Sequence, residues 1–234
     1  MAGLTYHEQR GRIEAYFDRT AAAAWARLTS DAPLGRIRAS VRAGRDRMRA
    51  TLLGWLPADL RGLRLLDAGC GTGALAVEAA RRGAEVVAVD LSPTLVSLAS
   101  QRLPAELSAK VRFHAGDMLD PALGRFDHVV LMDSLIHYEP ALAVRALERL
   151  AQRAERSLLF TFAPRTPLLA AMHTVGRLFP RADRAPAIVP VAPLALAERI
   201  RAERGLAHWQ LWRTERVAGG FYTSQAVELK AVAR

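Results

Sequence analysis

A chain of 234 residues, 51% of them apolar, has enough core-forming side chain for one α/β domain with additions, which excludes a globally disordered protein. One cysteine, Cys70, excludes a disulfide framework and fits a reducing compartment; no apolar run is long enough to span a bilayer and no signal peptide opens the chain, so a cytoplasmic protein is expected. The net charge is +10, and of 33 basic residues only Lys110 and Lys230 are lysine, a bias that reads first as genome composition. The charge is uneven: residues 1–61 hold 11 basic and 6 acidic residues, 62–150 hold 9 and 11, and 151–216 hold 11 and 5, so both flanks favour an anionic partner.

In chain order, residues 5–28 read as a helix with an alanine-rich centre, and SDAP at 30–33 breaks it with N-cap chemistry. A second, arginine-rich helix covers 34–56; Ile37, Val41, Met48, Leu52 and Leu56 form its apolar stripe, Arg45 interrupts the stripe, and Pro57 ends it. Uniformly apolar strands follow at 63–69, 84–90, 110–115, 126–133 and 157–163, alternating with helices at 73–82, 92–103 and 140–154. That alternation predicts a parallel sheet covered on both faces. The stretch FAPRTPLLAAMHTVGRLFPRADRAP (162–186) gives a short apolar helix between arginines, with Leu168, Met172, Val175 and Phe179 on one face. A helix over 193–204 precedes two strand-like runs joined through Gly219–Gly220, a hairpin signal.

The strongest motif is LLDAGCGTGAL, residues 65–75, a strand that turns into a helix through Gly69, Gly71 and Gly73. Glycine there permits positive φ and close approach of a ligand, and the helix start offers free N–H groups. Gly69, Gly71 and Ala74 formally satisfy a dinucleotide fingerprint. Asp67 argues against it, because a carboxylate there repels a pyrophosphate and suits a cationic sulfonium amino acid. The G-x-G-x-G spacing with Asp67 resembles class I S-adenosylmethionine (SAM) methyltransferases. The resemblance implies a Rossmann-like, mostly parallel seven-stranded sheet with an antiparallel last strand, and SAM as cofactor, released as S-adenosylhomocysteine. It also implies that Asp90 in AVDLS accepts the ribose hydroxyls with Leu91 and Ser92 as further cofactor contacts, Asp117 and Met118 in AGDML hold adenine, and Met132 and Asp133 lie beside the cofactor. Cys70, inside the turn, counts among the cofactor contacts as a small filler, not a nucleophile.

Two further stretches narrow the family. YFDRTAAAAWARLTSDAP (16–33) leading into RIRASVRAGRDRMR (36–49), and DSLIHYEP (133–140) with residues 162–191, together resemble magnesium-protoporphyrin O-methyltransferase over essentially the whole chain. The implied organisation is one methyltransferase domain, 1–234: a helical arm over 1–57, a SAM-binding core over 62–163, a cap insertion over 164–192, and a C-terminal helix and hairpin over 193–234. The implied reaction moves a methyl group from SAM to one propionate of magnesium protoporphyrin IX in chlorophyll and bacteriochlorophyll synthesis. His137 and Tyr16 are the candidate catalytic residues, with core packing as the alternative for each. Arg165, His173 and Arg177 are the candidate acceptor contacts, with plain solvation as their alternative. No protein metal site is expected; the magnesium belongs to the substrate, with His137 and His173 as candidate axial ligands. The resemblance also implies contact with magnesium chelatase; the basic flanks and apolar cap permit peripheral contact with the photosynthetic membrane, and a monomer is expected.

Other function classes stay in view. A methyltransferase for another anionic small molecule, such as a quinone precursor, shares the SAM site. An RNA methyltransferase or binder is prompted by the charge but lacks a recognisable RNA module, so no nucleic acid is expected. A SAM-binding regulator predicts binding without turnover.

Overall fold

The computed structural model of the protein describes residues 5–18, 22–29, 33–165 and 187–232. Three helices open it: α1 (Tyr6–Tyr16), α2 (Ala22–Leu28) and α3 (Arg36–Trp55). Five β/α steps follow: β1 (Arg64–Ala68), α4 (Ala74–Arg81), β2 (Glu85–Asp90), α5 (Pro93–Arg102), β3 (Val111–Ala115), β4 (Phe126–Leu131), α6 (Pro140–Ala151) and β5 (Ala154–Phe162). Helix α7 (Pro193–Ala202) leads to the hairpin of β6 (Trp209–Gly219) and β7 (Tyr222–Ala231). The strand order is β3-β2-β1-β4-β5-β7-β6. β7 runs antiparallel to both its neighbours, and the β1 to β5 pairings are parallel, so the expected seven-stranded sheet is present.

The uniformly apolar strands follow from burial on both faces. Side chains alternate across a sheet. Leu66, Val87, Val129, Leu158 and Phe160 face one core with α6 and α7, while Leu65, Val86, Ala88, Val130 and Leu159 face a second with α3 and α4. Each buried Leu, Val or Phe contributes about 1.5–3 kcal/mol relative to exposure, so the nine such positions named here outweigh any local propensity. α3 presses on the hairpin so closely that a Cβ on Gly44 would lie 2.5 Å from Tyr222.

The expected elements fall close to place, with two corrections. The helix expected over 5–28 is two helices: α1 ends at Tyr16 and widens into a π-type turn at Phe17–Asp18 before α2 begins. Helix α6 also ends at Ala151, and β5 begins at Ala154. Arg153 fixes that turn, its guanidinium bonded to the carbonyls of Asp120 and Met118 and its own carbonyl to the Phe126 amide. The hairpin turns where expected, with Gly220 at φ 57° and Gly219 paired to Tyr222. Of the expected cap over 164–192, residues 166–186 lie outside the described residues, and with them His173, Arg177, Arg181 and Arg184.

Candidate active site

The chain leaves β1 toward β2 and β3, then returns to the other side of β1 with β4. That reversal opens a crevice at the carboxyl ends of β1 and β4, and the three N-terminal helices cover it. The result is a cavity of about 330 Å3. Its floor comes from the strand ends and the glycine turn; its roof comes from Tyr6 and Ile13 on α1, Phe17 just past its end, Trp25 on α2, and Arg42, Arg45 and Arg49 on α3.

In the turn after β1, Gly69, Gly71 and Gly73 all have positive φ. They need glycine for different reasons. A Cβ on Gly69 would lie 2.4 Å from Ser134, and one on Gly73 2.8 Å from the Phe113 ring, whereas one on Gly71 would meet nothing within 4 Å. Gly71 therefore borders open cavity, and Gly73 serves close packing on β3 and is absent from the cavity wall. That corrects the cofactor role expected for Gly73. Ser92 needs the same correction: fully buried, it caps α5 by accepting from Leu95 N and donates to Asp18, and it does not line the cavity. Leu91 does.

Five carboxylates line the cavity: Asp46 on α3 pairs with Arg49, and four stand at or just past the strand ends. Asp67 is 1% exposed, and its Oδ2 has no partner among the described residues. Burial, and then the neighbouring Asp90, push its pKa up to about 7. Asp90 accepts from Gly71 N at 2.8 Å and Ser92 N at 3.0 Å, and burial raises its pKa as well. Asp117 accepts from Leu119 N, the Tyr6 hydroxyl at 2.8 Å and Arg10 at 3.2 Å. Burial, with Tyr138 and Asp117 nearby, pushes the Tyr6 phenol far up, so it stays a donor. Asp133 accepts from Tyr222, Ser224 and Thr161 and from Arg45 at 2.6 Å. Its φ of 56° is left-handed, rare outside glycine, and Thr161 Oγ1 accepts the Asp133 N–H that this twist presents. Met118 and Met132 are buried in the wall. Burial, then Asp67 and Asp90, raise the Cys70 thiol well above its ordinary pKa, which keeps it protonated and unreactive.

His137 is 7% exposed, lines the cavity, and has its ring 5.7 Å from that of Phe17 and Nδ1 3.4 Å from the Ala187 carbonyl. Tyr16 is placed elsewhere: it meets Phe17 edge-on and is not in the cavity wall. Helical geometry explains this, since Tyr6, Ile13 and Phe17 share a face and Tyr16 is turned about 100° away from Phe17. Arg165 is exposed at the end of β5, its backbone N–H on the Val191 carbonyl, and is not in the wall either. Sequence reading missed Tyr6, Arg10, Arg45, Thr72, Ser134 and Tyr222. Arg45 alone left a signal, as the charge breaking the stripe of α3.

Comparison with known proteins gives two matching family models: a methyltransferase domain over residues 65–156, and the C-terminus of magnesium-protoporphyrin IX methyltransferase over residues 131–231. The chain is 50% identical to magnesium-protoporphyrin O-methyltransferase of Rhodobacter capsulatus, over 96% of this chain and 98% of that protein. It is 33% identical to the Synechocystis protein of the same name, over 72% and 74%. A crystal structure of magnesium protoporphyrin IX methyltransferase from Synechocystis with bound S-adenosylhomocysteine is similar with a TM-score of 0.83 and 28% identity, covering 95% of this chain and 99% of that one. Similarity of this extent, running from the arm to the final hairpin, means that the chain belongs to the magnesium-protoporphyrin O-methyltransferase family.

Proposed function

We infer that the protein transfers a methyl group from SAM to a propionate carboxylate of magnesium protoporphyrin IX, giving the monomethyl ester. The observation that carries the acceptor is the 50% identity across both full lengths, because the fold alone hosts many acceptors. The cavity suits the methyl donor. Asp67 Oδ2 and Ser134 Oγ are buried polar atoms without a partner among the described residues, and Gly71 opens on empty space. A buried, unpaired carboxylate oxygen calls for a donor or cation, which the ammonium end of SAM is. Asp90, held by two backbone N–H groups, keeps lone pairs for ribose hydroxyls.

SAM supplies an electrophilic methyl on a positive sulfur. A propionate has an ordinary pKa near ~4.3, like glutamate, and arrives ionised at neutral pH, so no strong base is needed. The protein's part is orientation and exclusion of water. His137 faces the cavity and is suited to hydrogen-bond and orient the reacting carboxylate. A volume of about 330 Å3 stands at the small end of ligand pockets, ~300–1,000 Å3, so it suits the cofactor and the acceptor's carboxylate arms rather than a whole macrocycle. The macrocycle then lies at the rim; Arg165, His173 and Arg177 are our proposed acceptor contacts. A poorly soluble porphyrin favours direct receipt from magnesium chelatase and a peripheral seat at the membrane, by a monomeric enzyme. Among the described residues, no helix is long and apolar enough to cross a membrane.

The test is incubation with methyl-labelled SAM and magnesium protoporphyrin IX. Label in the porphyrin monoester is the expected result. Tight SAM binding with no ester ends this reading.

A further inference from the structure

We propose that Arg45 anchors the propionate that is not methylated, and so restricts the reaction to one ester per porphyrin. This rests on the reading above. Arg45 stands on α3 where its apolar stripe breaks, and its side chain is only 21% exposed. Nη1 lies 2.6 Å from Asp133 Oδ2, and the guanidinium carbon stands 4.5 Å from the centre of the Trp25 ring. Among the described residues, Nε and Nη2 pair with no acceptor, though Arg45 lines the cavity. A guanidinium offers five N–H donors in a fixed fork, and most of this fork is unused.

Asp133 does not need Arg45 to be satisfied, because Tyr222, Ser224 and Thr161 already donate to it. The dependence runs the other way: Asp133 and Trp25 are positioning residues that fix the fork. An anionic acceptor entering a cavity walled by Asp67, Asp90, Asp117 and Asp133 requires a cation with donors to spare. Arg10 does not line the cavity, Arg42 gives Nε and Nη2 to the Leu28 and Arg27 carbonyls, and Arg49 pairs with Asp46 away from the strand ends, whereas Arg45 is set against Asp133 just past β4. Arg45 is therefore the cation best placed for the acceptor.

It does not suit the carboxylate that reacts. Two charge-assisted bonds from a guanidinium draw electron density from the attacking oxygen and lower its nucleophilicity. Protoporphyrin carries two propionates, so the fork can take the second while the first meets the methyl group. Turning the monoester round to present its remaining carboxylate would set a neutral ester against Arg45. The second methylation is disfavoured by that loss.

The experiment uses the full chain, magnesium protoporphyrin IX, and the monoamide that keeps the reactive carboxylate free. Wild type is expected to lose ~10- to 100-fold in kcat/KM on the monoamide, mostly through KM. Arg45→Gln should lose a similar factor on the diacid, bind SAM within about twofold of wild type, and match wild type on the monoamide. Arg45→Lys, keeping the charge without the fork, should fall between. An equal loss for Arg45→Gln on both acceptors, or wild type treating amide and acid alike, overturns the proposal; the second result needs no variant that folds. Wild type making no ester from the diacid overturns the parent reading instead.

Discussion

The proposed contact between Asp67 and the ammonium of SAM predicts that SAM affinity depends on pH. In the unliganded protein its pKa is about 7, against an ordinary 3.8, because burial and Asp90 disfavour the anion. An ammonium arriving at Oδ2 favours the anion and returns the pKa toward its ordinary value, so binding releases a proton wherever the free protein holds one. With a free pKa of 7 and a bound pKa near 4, SAM affinity should fall about 15-fold between pH 7 and pH 5.5, and about 0.9 proton should be released per SAM at pH 6. Below pH 7 an α-amino group of pKa ~7.7–8.0 remains charged, so the slope belongs to the protein. Calorimetric titration at fixed ionic strength, in buffers of different ionisation enthalpy, measures both quantities. Stability follows with a definite sign. The folded carboxyl holds a proton that the unfolded one releases, so the unliganded protein loses stability as pH rises from about 4 to about 7, by up to about 4 kcal/mol. Asp67→Asn should remove that loss and weaken SAM binding at pH 7 while flattening its pH dependence. A flat wild-type affinity from pH 7 to 5.5, or an equal slope in Asp67→Asn, refutes this reasoning.

His137→Ala should lower kcat ~10- to 1,000-fold with SAM affinity unchanged, measured by single-turnover ester formation; unchanged turnover removes His137 from the mechanism. Gly44→Ala gains helix propensity of up to ~1 kcal/mol but sets a Cβ 2.5 Å from Tyr222, so a net loss of about 1–3 kcal/mol is expected in a denaturant melt, and a higher midpoint contradicts the packing. Phe160→Ala, fully buried in the central sheet, should cost about 3–5 kcal/mol in the same assay. Tyr6→Phe should weaken SAM binding several-fold by loosening α1 from Asp117, whereas Tyr16→Phe should leave it unchanged; equal effects in fluorescence titration contradict the placement of the two tyrosines.

What was legible in the sequence is what local chemistry determines. Asp67, Asp90, Asp117 and Asp133 follow strands whose apolar runs mark them plainly, and the chain places all four around one cavity. Gly73 and Ser92 look like ligand residues by motif, but a tight approach to Phe113 and a helix cap claim them first. Tyr16 was chosen for its place in the arm, but the helix turns it away from the face of Tyr6, Ile13 and Phe17 that meets the cavity. The partners of Asp133 were illegible: Arg45 precedes it by 88 residues, and Tyr222 and Ser224 follow it by 89 and 91. Such distant pairings leave no periodicity in one sequence, and Arg45 showed only as a fault in a stripe.

The hairpin carries a consequence for synthesis. β7 inserts between β5 and β6, and its first residues supply two of the hydroxyls that hold Asp133. A ribosome releases the β1–β5 strands, the glycine turn and all four acids before this strand exists. The nascent chain can collapse around those strands early, domains tending to form from the N-terminal end, yet Asp133 lacks its Tyr222 and Ser224 donors until β7 has been made. One wall of the cavity is thus completed late. A variant cut before Tyr222 should keep the strand ends at Asp67 and Asp90 and lose two of the donors that hold Asp133.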